Sequence, residues 1–136
     1  MYSLNEIEEK IALAKAAKLS GAELLLDRER ACRVCNGIGA DWMPDWLRAL
    51  ISKLFPTLVL AADIHDLRYD DGGDELARLL ADIEMLDNGI KLANHHYSRF
   101  DPRRYIVQFV MLQFYIKLRQ FGAFAFKSKH KETENA

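Results

Sequence analysis

Two adjacent glycines, Gly72 and Gly73, divide a stretch that otherwise reads as helix on both sides. Upstream, a helix opens at Pro56 and is expected from about Thr57 to Tyr69 or Asp70. Downstream, Leu76, Leu79, Leu80, Ile83, Leu86 and Ile90 recur at helical spacing from a restart near Asp74. A Gly-Gly pair stops a helix because glycine loses the most backbone freedom on ordering. A link this short predicts that the two helices fold back on each other as antiparallel neighbours. The hairpin also sets a level. His65 lies roughly 11 Å before the turn and Asp82 roughly 14 Å after it, at ~1.5 Å per residue. If both face the seam, one ring N–H of His65 meets the Asp82 carboxylate. Tyr69, one helical turn after His65, shares its face and brings a hydroxyl to the same carboxylate.

That arrangement has a chemical use. A carboxylate on one imidazole nitrogen fixes the tautomer and leaves the other nitrogen free as a base. The plain alternative is that a histidine on a helix is a satisfied core or surface residue, and His-Asp dipeptides are common. The shared level with Asp82 favours the functional reading, because core packing does not require it.

The rest of the chain also reads as helix. Ser3 and Glu6 have capping-box spacing, Ile7, Ile11 and Ala14 form an apolar stripe, and Gly21 is the expected stop. "AELLLDRERACRVC" fits either a short helix or an irregular approach to the loop "CNGIGADWMP". "PDWLRALISKLF" reads as a short amphipathic helix with Leu47, Leu50, Ile51 and Leu54 on one face. Asp101 and Pro102 open a last long helix, expected to end near Gly122. It is apolar nearly all round, which predicts a central core helix. The segment 127–136 is expected to be a frayed tail. No strand pattern is found, so the fold class is all-α, in one domain over residues 1–136.

With 136 residues, half of them apolar, the chain can build a core without staples. A net charge of −1 gives no electrostatic reason to expect nucleic acid. Two cysteines, Cys32 and Cys35, are too few for a secreted disulfide scaffold. The amino terminus has no apolar signal segment, which points to a cytoplasmic location in the producing cell. The most apolar run, Tyr105 to Leu118, holds Gln108, Gln113 and Lys117, and is too short and too polar for a bilayer span.

"CNGIG", then "HDLRY", then Ala81-Asp82 resemble the phospholipase A2 superfamily. The resemblance is closest to its disulfide-poor branch, found in parvovirus capsid proteins and related phage proteins, and it spans about Cys35 to Asp82. It implies an all-α fold around an antiparallel helix pair with a glycine-rich calcium loop. The implied activity is Ca²⁺-dependent hydrolysis of the sn-2 ester of phospholipids at a membrane surface. His65 would be the general base, Asp82 its orienter and Tyr69 a support for Asp82. The carbonyls of Cys35, Gly37 and Gly39, with the Asp66 carboxylate, would hold Ca²⁺ in a hard oxygen site. The same resemblance allows a catalytically silent structural or interaction module of a phage or virus particle, virion-associated and homo-oligomeric. Asn36 stands where the secreted enzymes carry a disulfide cysteine, Ala40 replaces a loop glycine, and the segment from Ala40 to Ala61 is longer.

The chemistry is coherent in this sequence. His65 and Asp66 leave the helix about 100° apart, so one can face the seam and the other a loop-bound ion. A bound cation polarises an ester carbonyl, and the Gly37 N–H can add an oxyanion contact. Other constellations fit less well. Cys32 and Cys35 could be half of a zinc site completed by His65, His95 or His96, or could pair as a disulfide, but no second C-x-x-C exists. "DLRYDDGGDE" lacks EF-hand spacing, so Asp70, Asp71, Asp74 and Glu75 are expected to solvate the turn. A metal phosphohydrolase of the His-Asp type would need further ligands that are not evident. Trp42, Met43, Trp46, Leu47 and Phe55 suit either the core or a lipid interface. "FGAFAF" could form a membrane- or partner-facing lip.

Overall fold

In a computed structural model of the chain, the described residues are 2–35, 45, 46, 49, 53 and 56–134. They form helices α1 (Leu4–Ala16), α2 (Arg28–Val34), α3 (Pro56–Asp71), α4 (Glu75–His96) and α5 (Pro102–Glu134). A 3-10 turn spans Ala22–Leu26, and no strand occurs among the described residues. The fold is all-α. The loop glycines Gly37 and Gly39, with Trp42, Met43, Leu47 and Phe55, lie outside the described residues, whereas Trp46 is exposed.

α1 opens on the expected capping box. The Ser3 hydroxyl accepts from the Glu6 N–H, and the Glu6 carboxylate accepts from the Ser3 N–H. Its end differs from expectation. The helix stops at Ala16, and the left-handed residue that closes it is Lys18, with φ 58°, not Gly21. The Leu19 N–H reaches the Ala14 carbonyl and the Lys18 N–H reaches the Lys15 carbonyl, which is the Schellman pattern. Leu19 is buried, so its packing offsets the cost of a side chain at positive φ. Gly21 instead starts the 3-10 turn with φ 81°, where an added Cβ would lie 2.8 Å from Ile64.

Gly72 and Gly73 both take positive φ, 73° and 129°, which explains why side chains are excluded there. Asp74 then caps α4 by accepting from the Ala77 N–H. Asp70 and Asp71 are exposed but not merely solvated. Arg30 on α2 donates from Nε to Asp70 and from Nη2 to Asp71 and to the Leu67 carbonyl. A guanidinium at the C-terminus of α3 also complements the helix dipole.

The core gathers Ile7, Ile11 and Ala14 of α1, Leu58, Ile64 and Leu67 of α3, Leu92 of α4, and Val107 and Met111 of α5. The apolar stripe expected on α4 is not its core face. Leu76, Leu80 and Ile83 are exposed, while Arg78, Ala81, Asp82, Met85, Asn88 and Gly89 are buried. Hydrophobic periodicity misplaced this helix because its inward face carries polar groups that satisfy one another. α5 is likewise not enclosed all round. Val107, Met111 and Phe126 point inward, but Tyr105, Phe109 and Leu112 are exposed. It also passes Gly122 without a break and reaches Glu134, taking in most of the expected tail.

Two mid-helix glycines mark where α5 comes close. A Cβ at Gly89 would fall 2.5 Å from Met111 Cγ, and one at Gly122 would fall 2.9 Å from the Tyr69 hydroxyl. Close approach explains glycines that would otherwise cost helix stability. Gly89→Ala is expected to overpack the α4–α5 contact and destabilise the protein by about 1–3 kcal/mol. A urea melt showing Gly89→Ala as stable as wild type would contradict that packing.

Candidate active site

The hydrogen bond anticipated from the hairpin register is present. His65 on α3 and Asp82 on α4 are both buried, with His65 Nε2 2.7 Å from Asp82 Oδ1. The Tyr69 hydroxyl donates to the same oxygen at 2.7 Å. The imidazole and phenol rings of His65 and Tyr69 lie 4.1 Å apart, as residues four apart on one helix face should. With Nε2–H donated to Asp82, the tautomer is set and Nδ1 carries the lone pair.

Two arginines that sequence reading did not single out complete the surroundings of Asp82. Arg119 on α5 donates from Nη1 to Asp82 Oδ2 at 2.7 Å. Arg78 on α4, one turn before Asp82, brings Nη1 to 3.5 Å of the same oxygen. Arg78 also donates to Glu75 at 2.8 and 2.9 Å and to the Leu118 carbonyl at 3.2 Å. Arg119 reaches Glu75 as well, at 2.9 Å. Two carboxylates and two guanidiniums thus balance beside the imidazole. Such pairing is what lets charges sit in a desolvated place. Burial pushes the Asp82 carboxyl upward, but the bonds from His65, Tyr69 and Arg119 outweigh it and hold the carboxyl below its ordinary range. Bonds from Arg78 and Arg119 hold the Glu75 carboxyl down at about 2. Burial and the bond to Asp82 push the Tyr69 hydroxyl up, so it remains a donor.

A sequence signal for this network existed. Arg78 and Asp82 stand four apart on one helix face, and Arg119 follows Lys117 just after the uncharged run from Tyr105 to Ile116. Both look like surface charges until the packing of α5 against the hairpin is known.

A second polar cluster, also missed, ties α1, the end of α2 and α3 together. Asp63 on α3 is fully buried, two residues before His65. Lys10 Nζ of α1 lies 2.7 Å from Asp63 Oδ2, and the Tyr2 hydroxyl donates to Oδ1 at 3.1 Å. The Cys35 thiol donates to the Asp63 carbonyl at 3.4 Å. Three segments, the start of α1, the end of α2 and the middle of α3, are therefore tied at one residue. Burial pushes the Cys35 thiol up, reinforced by the charges of Asp63 and Asp66.

The Asp66 charge is thus among those that act on Cys35, the last described residue before Gly37 and Gly39. Asp66 is half-buried and follows His65 on α3. Cys35 turns its sulfur to Asp63 and keeps its proton, so the residue has only its main-chain carbonyl to offer an ion. Carboxylate and carbonyl oxygens are hard donors that fit calcium, not a thiophilic metal. Gly37 and Gly39, the other expected carbonyl ligands, lie outside the described residues. Cys32 and Cys35 are free thiols, and the described residues hold no group of three His, Cys, Asp or Glu side chains placed to bind a metal. His65, one proposed partner of the cysteines for zinc, is committed to Asp82.

No protein-family model, no curated protein and no solved structure matches the chain.

Proposed function

We propose that the chain is a calcium-dependent esterase that hydrolyses the sn-2 ester of phospholipids at a membrane surface. The observation that carries this reading is the buried relay from Asp82 Oδ1 to His65 Nε2, with Tyr69 bonded to the same oxygen. It rests further on the packing of α3 against α4 across the Gly72-Gly73 turn. A bound calcium ion would polarise the ester carbonyl and take up charge in the transition state. His65 Nδ1 takes a proton from the attacking water and returns it to the alcohol oxygen as the ester C–O bond breaks, while Asp82 holds the ring and offsets the charge it gains in between. Tyr69 and Arg119 keep the carboxylate from turning away. Asp66 and the carbonyls of Cys35, Gly37 and Gly39 would hold the ion. No nucleophilic side chain is required, so the route has no covalent enzyme intermediate.

The test is release of fatty acid from mixed phospholipid–detergent micelles in millimolar calcium, repeated with chelator. Turnover that chelator abolishes and added calcium restores is the expected result. Asp66→Ala should lose both turnover and calcium binding by calorimetry. Normal hydrolysis by Asp66→Ala would overturn the ion assignment, and an inert wild type would overturn the enzyme reading.

One observation favours a second reading. Arg78 and Arg119 already share the Asp82 charge, which leaves less of it to stabilise an imidazolium and makes the network stiff. A catalytically silent module of the same fold, built into a phage or virus particle, would keep that network for stability alone.

A further inference from the structure

We infer that the outer face of α5 is the interface through which two copies of this chain form a homodimer. Tyr105, Phe109, Leu112 and Ile116 are 53, 63, 41 and 39% exposed. Their spacing is four, three, four, the heptad interval at which one helix presents a single lane to another. The lane lies opposite the side of α5 that buries Val107 and Met111, so the hairpin does not cover it. Ile106, half exposed, widens it at one end.

The chemistry of the lane fits a protein partner of its own kind. From Tyr105 to Ile116 there is no charged residue, and Gln108 and Gln113 are the most polar. Interface centres are depleted of charge and enriched in aromatics. The exposed parts of these five side chains amount to on the order of 500 Å². A stable pair needs about 800 Å² from each partner. The lane supplies most of that, and the flanking glutamines with the exposed Lys117 can form its rim. Arg119 stands one turn beyond Ile116 and is tied to Asp82 and Glu75, so the apolar lane ends where the polar network begins. A two-fold axis across the lane matches it to itself, and identical patches make a closed dimer. A helix lying on anionic lipid would instead intersperse Lys and Arg along the face that meets the headgroups.

The experiment is sedimentation equilibrium on the full chain from roughly micromolar to hundreds of micromolar protein, beside a Phe109→Glu/Leu112→Glu variant. The expected result is a wild-type monomer–dimer equilibrium with Kd below about 10 µM. The variant should weaken it by at least ~30-fold. Both substituted side chains are largely exposed, so helical circular dichroism should be unchanged. The wild-type dilution series stands alone if the variant misfolds. A wild type that stays monomeric throughout overturns the dimer and gives the face another occupant. So does a dimer that the folded variant leaves intact. A monomer that co-sediments with phosphatidylglycerol vesicles through this face also overturns it, in favour of lipid.

Discussion

His65→Ala should lower turnover on micellar phospholipid by about 10²- to 10⁴-fold while leaving calcium affinity unchanged. The asymmetry follows from geometry. His65 uses Nε2 on Asp82 and keeps Nδ1 for the attacking water, so removing the ring removes the base. The expected ion ligands are Asp66 and main-chain carbonyls, and none of them bonds the imidazole in this scheme. The fold should survive. Asp82 still accepts from Tyr69 and Arg119 and lies beside Arg78, so the carboxylate is not left unpaired. The loss of one buried hydrogen bond and a small ring should cost about 1–2 kcal/mol. The measurements are initial rates at saturating calcium, a calorimetric calcium titration and a thermal melt. A variant within tenfold of wild-type turnover would remove His65 from the mechanism. One that lost calcium binding would mean that the ring belongs to the ion site.

How much of this was legible in the sequence depends on which force set each feature. Local chemistry was readable. The Ser3–Glu6 box, the helix restart near Asp74 and the Gly72-Gly73 break each act over a few residues and stand where expected. The meeting of His65, Tyr69 and Asp82 was also readable, because helix rise and one short turn fix the relative level. What failed was inference from hydrophobicity across helices. Leu76, Leu80 and Ile83 are more apolar than Arg78, Asp82 and Asn88, yet the latter are inside. Asn88 is held there by two bonds to the Ser20 backbone, one donated and one accepted. Burying a polar group costs little once partners are supplied, and sequence periodicity cannot see partners 37 or 68 residues away. The same blindness hid Asp63, whose partners Tyr2 and Lys10 come from the other end of the chain. Gly122 misled for a related reason. It reads as a helix stop, but it is the place where α5 passes over Tyr69 and Arg78.

Removing Asp82 should have the largest effect on stability. Its carboxylate is fully buried and is the one acceptor shared by His65, Tyr69 and Arg119, with Arg78 at 3.5 Å. Asp82→Ala removes the buried acceptor of Arg119 and the neighbouring charge of Arg78, and leaves Glu75 as the carboxylate both still bond. Deleting one partner of a buried charge pair typically costs about 3–5 kcal/mol. For a domain of this size that lowers the melting temperature by on the order of 10–20 °C. Asp82→Asn keeps the volume but turns a donor toward an arginine, so it should fall between Asp82→Ala and wild type. The pH dependence gives an independent check. The Asp82 carboxyl is held below its ordinary 3.8, and Glu75 is held near 2 against an ordinary 4.5. Groups depressed in the folded state bind more protons when unfolded, so stability falls as pH falls. Their contribution is complete above about pH 4.5 and is lost as pH drops toward 2. Glu75 is exposed and its share is screened, and the share of Asp82 is the one that Asp82→Asn removes. Urea melts between pH 6 and 2 should show wild type weakening below pH 4 and Asp82→Asn weakening much less. Parallel curves for the two proteins would mean that the carboxylate is not held by His65, Tyr69 and Arg119, and the network would lose its role in both the fold and the site.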